Sequence, residues 1–163
     1  MILAFAHPCL VVPDAQAAVD FYSKMFGFTV VTSEGWNHNR DIDRAIGLND
    51  SHCTGFTLAG HNCFLEIFQF ESTKSQPTET KTADSLGIRH LAFYVDDVVL
   101  ESERFLALGG TLVGEPNPLA VYLSDPFGNL IELCTIPTDK ENPLELPGLK
   151  CLNSNHKDSP CSA

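Results

Sequence analysis

An α+β fold built from two tandem βαβββ modules is predicted by three features of the chain. A strand–helix–strand pattern occurs twice, each helix has recognisable start and stop signals, and each half closes on an apolar strand with a glutamate in its middle. The 163 residues suffice for such a pair, and 44% hydrophobic against 19% charged is ordinary globular composition.

The repeat aligns HPCLVVPDAQAAVDFYSKMFGFTVV from His7 with HLAFYVDDVVLESERFLALGGTLVG from His90. His7 is as far from Gly27 as His90 is from Gly110. In the first half, a strand near 3–12 leads to Asp14, a helix N-cap candidate. Ala18, Phe21, Tyr22 and Met25 then recur at helical spacing up to Gly27. Strands follow near 27–33, 53–60 and 62–70, the last holding CFLEIF around Glu66. In the second half, a strand near 87–95 precedes the Asp97 cap. Val98, Phe105 and Leu108 mark the helix before Gly109, and strands follow near 110–114, 119–124 and 129–135. The last holds NLIELC around Glu132.

The first half is longer by a polar insertion, 34–51, with a short helix expected over DIDRAIGL. The organisation read from the chain is therefore a first module over 1–70, a Ser/Thr/Lys linker over 71–86, a second module over 87–136 and an extended tail over 137–163.

A net charge of −11 repels phosphate backbones and anionic headgroups, which argues against nucleic-acid and membrane-surface partners. No apolar run is long enough to span a bilayer, and His7 and Pro8 interrupt the stretch that mimics a signal peptide. Cys9, Cys53, Cys63 and Cys134 lie in apolar runs and read as small buried hydrophobes. Cys151 and Cys161 fall in the tail, and a reducing cytoplasm is expected.

A carboxylate inside an apolar strand is costly unless paired or bound to a cation. Both halves share this oddity, each with a histidine on an earlier strand. If the halves pack as mirrored sheets, His7, Glu66, His90 and Glu132 converge. Two imidazoles and two carboxylates suit one divalent first-row ion with positions left for substrate: Ni, Co, Zn, Mn or Fe. His38, His52, His61 and His156 lack this symmetry and are left outside the site. Arg40 and Arg44 read as a solvated helix face. Alternation along the strands puts Phe5, Cys9 and Val11 on the side of His7. It likewise puts Phe64, Phe68 and Phe70 beside Glu66, and Tyr94 beside His90, giving an apolar substrate pocket.

The stretches HPCLVVPDAQAAVDFYSKMFGF, FLEIFQF, GIRHLAFYVDDV and YLSDPFGNLIELC resemble the vicinal oxygen chelate superfamily over about residues 4–135. That superfamily includes glyoxalase I, methylmalonyl-CoA epimerase, extradiol dioxygenases, fosfomycin-resistance transferases and bleomycin-binding proteins. The resemblance implies paired modules whose sheets curl around a metal-containing cleft, with ligands falling on His7, Glu66, His90 and Glu132. It also implies a site closed either within one chain or across a homodimer.

A second carboxylate, Glu66, is similar to the bacterial glyoxalase I set. It points to a lyase or isomerase that moves a proton through a metal-bound enediolate, with Glu66 or Glu132 as base. Glyoxalase I resemblance implies an arginine where this chain has Val11 and an asparagine where it has Phe70. Methylmalonyl-CoA epimerase resemblance implies glutamine at Glu66 and an acid on the preceding strand, which CTGFTLAG lacks. The apolar pocket points to a small hydrophobic carbonyl or hydroxy compound as the substrate. An extradiol-type dioxygenase and a non-catalytic small-molecule binder of the same fold are the alternatives.

Overall fold

The computed structural model describes residues 5–61, 63–71 and 82–136. The expected tail, with Cys151, Cys161 and His156, and most of the expected linker lie outside the described residues. The chain forms β1 (Cys9–Val11), α1 (Ala15–Phe26), β2 (Thr29–Asn37), α2 (Arg40–Ile46), β3 (His52–Gly60) and β4 (Cys63–Phe70). It continues through β5 (His90–Tyr94), α3 (Val98–Ala107), β6 (Thr111–Leu112), β7 (Ala120–Ser124) and β8 (Leu130–Cys134). These strands make two four-stranded mixed sheets, ordered β1-β4-β3-β2 and β5-β8-β7-β6. In each, the first strand runs parallel to the last and the other pairings are antiparallel. One topology therefore occurs twice.

The helices begin where the side chains dictate. Asp14 accepts a hydrogen bond from the Ala17 amide at 2.9 Å, and Asp97 accepts one from Leu100 at 3.0 Å. The Gln69 amide oxygen, on β4, accepts from the Ala15 amide and fastens the α1 start to its own sheet. Gly27 ends α1 at φ 72°, a left-handed turn that costs glycine little. α1 buries the predicted Ala18, Phe21, Tyr22 and Met25, and α3 buries Val98 and Phe105, while Leu108, expected in the same stripe, caps the helix end and is only partly buried. Leu58, Leu65 and Ile67 receive α1, and Val121, Leu123, Ile131 and Leu133 form the matching layer of the second sheet.

The modules join through this helical side. Phe21 meets Phe105 edge-on at 5.2 Å, and Phe26 stacks on Phe93 of β5 at 3.9 Å. Arg104 on α3 donates to the carbonyls of Lys24 and Met25, neutralising the C-terminal end of α1. Buried Tyr22 donates to Asp125 at 2.8 Å. Asp125 also accepts from the Phe127 and Asn129 amides and the Asn129 side chain. This explains the Asp-Pro-x-Gly-Asn turn: its carboxylate organises the loop before β8 and anchors α1 of the other module.

Several strand extents differ from the expectation. β1 is only three residues long because Pro8 and Pro13 flank it and neither can donate to a ladder. β2 runs on into the expected insertion, to Asn37, since an edge strand pairs through its backbone whatever its side chains. β6 shrinks to two residues. Among the four described cysteines only Cys53 is buried; Cys9 and Cys63 are exposed and Cys134 is intermediate. Cys9 and Cys134 lie on the sheet faces that carry Glu66 and Glu132, away from α1 and α3, and Cys63 sits at the very start of β4.

Candidate metal centre

Period-two alternation assigns the two faces of each sheet. Leu65 and Ile67 point to α1, so Glu66 points away from it; Ile131 and Leu133 do the same for Glu132. Glu66 lies opposite Cys9 in the parallel β1–β4 pair, and Glu132 opposite Ala92 in β5–β8. His7 and His90 each stand two residues earlier on the same side. His7 Nε2 is 3.1 Å from Glu66 Oε2, and His90 Nε2 is 3.1 Å from Glu132 Oε2. The repeat thus reproduces one pair geometry, atom for atom. All four side chains keep partial solvent access, from 21% to 36%.

The two pairs are not gathered into one cluster within the chain. Among the described residues, the group of three or more ligand-type side chains with donor atoms mutually within 4.8 Å is His38, Asp50 and His52. The reason lies in the packing above. α1 lies between its own sheet and the second module, so each His–Glu pair sits on a sheet face turned away from that junction.

The donor chemistry fits a divalent cation. Two donors held cis on one ion, each about 2.1 Å from it, stand about 3 Å apart, which is the separation each pair already has. Oxygen and imidazole donors suit a first-row ion. Each pair presents an imidazole nitrogen and a carboxylate oxygen to the same point, two donors of the kind such an ion takes.

The second pair carries a support that the sequence reading missed. The Tyr122 hydroxyl is 3.4 Å from His90 Nδ1, with the rings nearly perpendicular at 5.1 Å. Tyr122 lies opposite Glu132 in the ladder. Desolvation first, then the nearby Glu132 charge and Cys134, raise its pKa, so it stays a neutral phenol. A bond to Nδ1 leaves Nε2 free for a metal. The signal was present in YLSDPFGNLIELC, since β7 alternation places Tyr122 on the Glu132 face. Thr57 occupies the corresponding place opposite Glu66.

The predicted pocket residues divide between the modules. Cys9, Val11, Phe68 and Phe70 share the Glu66 face, while Tyr94 lies on the second sheet, on the His90 side. Phe5 and Phe64 border a cavity of about 540 Å³ that includes His7. Trp36, within the expected insertion, packs edge-on against Phe68 and Phe70, each at 5.6 Å. It reaches this face because β2 extends far enough to pair Trp36 with Cys53. Arg40 and Arg44 stay exposed on α2.

The thiols here remain protonated. That of Cys9 is pushed up to about 12, first by desolvation among its neighbours and then by Glu66 and Cys53. Burial, with a smaller push from Glu66, raises Cys53 to about 11 against the opposing effect of a backbone hydrogen bond from Gln69.

Residues 4–133 match the family model described as the Glyoxalase/Bleomycin resistance protein/Dioxygenase superfamily. The chain belongs to that superfamily. A 2-epi-5-epi-valiolone epimerase from an Actinomyces species is 26% identical over 152 residues, spanning 83% of this chain and 80% of the relative. The fold matches a glyoxalase family protein from Bacillus cereus with a TM-score of 0.73 at 19% identity, covering 83% of this chain and 95% of that one. It also matches a mutant of the genomically encoded fosfomycin resistance protein of Listeria monocytogenes, complexed with Mn(II) and 1S,2S-dihydroxypropylphosphonic acid. There the TM-score is 0.52 at 24% identity, covering 83% and 93% of the two chains. The superfamily thus includes enzymes and a protein that binds a divalent metal. No helix among the described residues is long and apolar enough to cross a membrane.

Proposed function

We propose that this protein is a divalent-metal-dependent lyase or isomerase of the glyoxalase/epimerase type, acting on a small hydrophobic carbonyl or hydroxy compound in the cytoplasm. The single observation that carries this reading is the pair of equivalent His–Glu dyads, His7–Glu66 and His90–Glu132, on sheet faces that no helix among the described residues covers. Each dyad is half of a ligand set, so the complete site joins the first module of one chain to the second module of another in a homodimer. Exposed Val11, Phe64 and Tyr94 on these faces would become the walls of the shared cleft.

When bound, the cation supplies the positive charge that acidifies a C–H bond beside a carbonyl. His7 and His90 would hold it, with His90 oriented by Tyr122. One glutamate, Glu66 or Glu132, takes the proton from carbon, and its return to the opposite face or to a neighbouring atom gives the epimer or isomer. The aromatic wall of Trp36, Phe68 and Phe70 excludes water from the face of the substrate. The epimerase relative supports proton transfer as the chemistry.

The deciding experiment mixes two inactive chains, H7A/E66A and H90A/E132A. In a shared-site dimer each heterodimer regains one intact site, so random mixing restores about a quarter of the wild-type sites. Metal content and turnover measured after mixing check this. No recovery in either would sink the shared site. Yellow ring-cleavage product from catechols, Fe(II) and oxygen would replace the isomerase reading with a dioxygenase.

A further inference from the structure

We infer that His38, Asp50 and His52 form a second divalent-cation site, separate from the His–Glu dyads and taking a borderline ion such as Zn(II) or Co(II). This inference does not rest on the proposed reaction. The donor atoms of the three residues lie within 4.8 Å of one another. His38 Nδ1 contacts the Asp50 carboxylate, and the rings of His38 and His52 meet edge-on with centroids 4.1 Å apart. Glu71 Oε2 stands 3.8 Å from His52 Nδ1, and the Glu71 amide donates to the His52 carbonyl at 3.0 Å, which brings a fourth donor, a carboxylate oxygen, close to the three. Two imidazoles and one carboxylate, with a position left for Glu71 or water, are the donor set of a borderline ion rather than of Mg(II) or Ca(II).

The backbone converges on the same point. His38 and Asp50 have φ of 52° and 54°, left-handed values uncommon outside glycine. These two residues bracket α2, the segment that the second half lacks. The β2–β3 register pairs Asn37 with His52, and the His38 amide donates to the Ser51 carbonyl, so the two ends of the insertion are drawn together. A cation would fasten them. Ser51, next to Asp50, is buried and accepts the Trp36 indole N–H at 2.7 Å. The site therefore sits at the root of the aromatic wall, beside a cavity of about 360 Å³ that His52, Trp36 and Glu71 help to line.

Trp36 is the one tryptophan of the chain, so its fluorescence reports the site directly. The metal-stripped full-length chain carrying E66A/E132A, which disables both dyads, is titrated with Co(II) or Zn(II) alone. Bound metal is measured after dialysis. The expected result is saturable Co(II) quenching of Trp36 and retention of a single zinc equivalent. H38N and D50N, chosen because asparagine tolerates the left-handed backbone, should each weaken binding by about tenfold or more with unchanged circular dichroism. Should E66A/E132A fail to fold, H38N and D50N in the otherwise natural chain should each lower zinc content by one equivalent and abolish the quenching. Absence of any retained cation, or retention that H38N, D50N and H52Q leave untouched, overturns the site.

Discussion

The first and second modules share a topology and a His–Glu geometry but differ in what surrounds it. Around Glu66 stand Cys9, Thr57 and the Trp36–Phe68–Phe70 cluster; around Glu132 stand Ala92, Tyr122 and Cys134. β2 and β3 are nine residues each and enclose α2, whereas β6 has two residues and β7 five. The lesson is that the ladder register is what both halves keep. It holds imidazole and carboxylate together whatever else changes, while the elaborations give the halves different work. The first is built as an apolar wall, and the second braces its histidine and ties down α1.

The sharpest test of this division removes each carboxylate in turn. E66Q and E132Q should both lower turnover, but only the variant of the proton-accepting glutamate should lose about 10²–10⁴-fold while keeping its metal. Equal losses with metal retained in both would break the asymmetry. Turnover with metal analysis reads this out.

The next effect is on stability. D125A leaves the Tyr22 hydroxyl and two amides of the β7–β8 turn without their acceptor, and should cost about 3 kcal/mol in chemical denaturation. In the β3–β4 turn, the contact to α1 among the described residues is the 2.6 Å approach of His61 Nε2 to the Phe26 carbonyl. H61A should therefore cost about 1 kcal/mol. The contrast tests whether the second module is the one that anchors α1.

Smaller still, Y122F should weaken metal affinity by about 10-fold to 100-fold through the lost orientation of His90, while T57V in the first module should change it little. Calorimetric titration compares them. The smallest effect concerns the insertion. Hydrogen bonds from the Ser51 hydroxyl and, less, from its amide hold the Asp43 carboxyl below its usual value. A group depressed on folding stabilises the protein above its unfolded pKa, and that contribution fades as pH falls through the folded value. The melting temperature of wild type should thus drop more steeply below about pH 4 than that of D43N.

Much of this was legible locally. The caps Asp14 and Asp97, the apolar stripes of α1 and α3 and the short helix in DIDRAIGL depend on near neighbours in the chain. So does the sidedness of Glu66 and Glu132, which follows from alternation alone. Pairing His7 with Glu66 and His90 with Glu132 needed only the repeat. Other features were not legible, because they arise between residues far apart. Trp36 joined the aromatic wall only because β2 outran its apolar run. His38 and His52, set aside for want of a symmetric partner, came together across a β2–β3 register that no local pattern announces.

By itself, then, the sequence determined two like modules and which face of each strand carries a histidine or glutamate, since side-chain direction follows the backbone period of the element. Only the tertiary structure decided where those faces look. Phe21, Phe26, Phe93 and Phe105 pack against one another where the helical sides meet, and burial of these aromatic rings holds the modules together there. That junction leaves each His–Glu pair on the opposite face of its sheet, partly open to solvent.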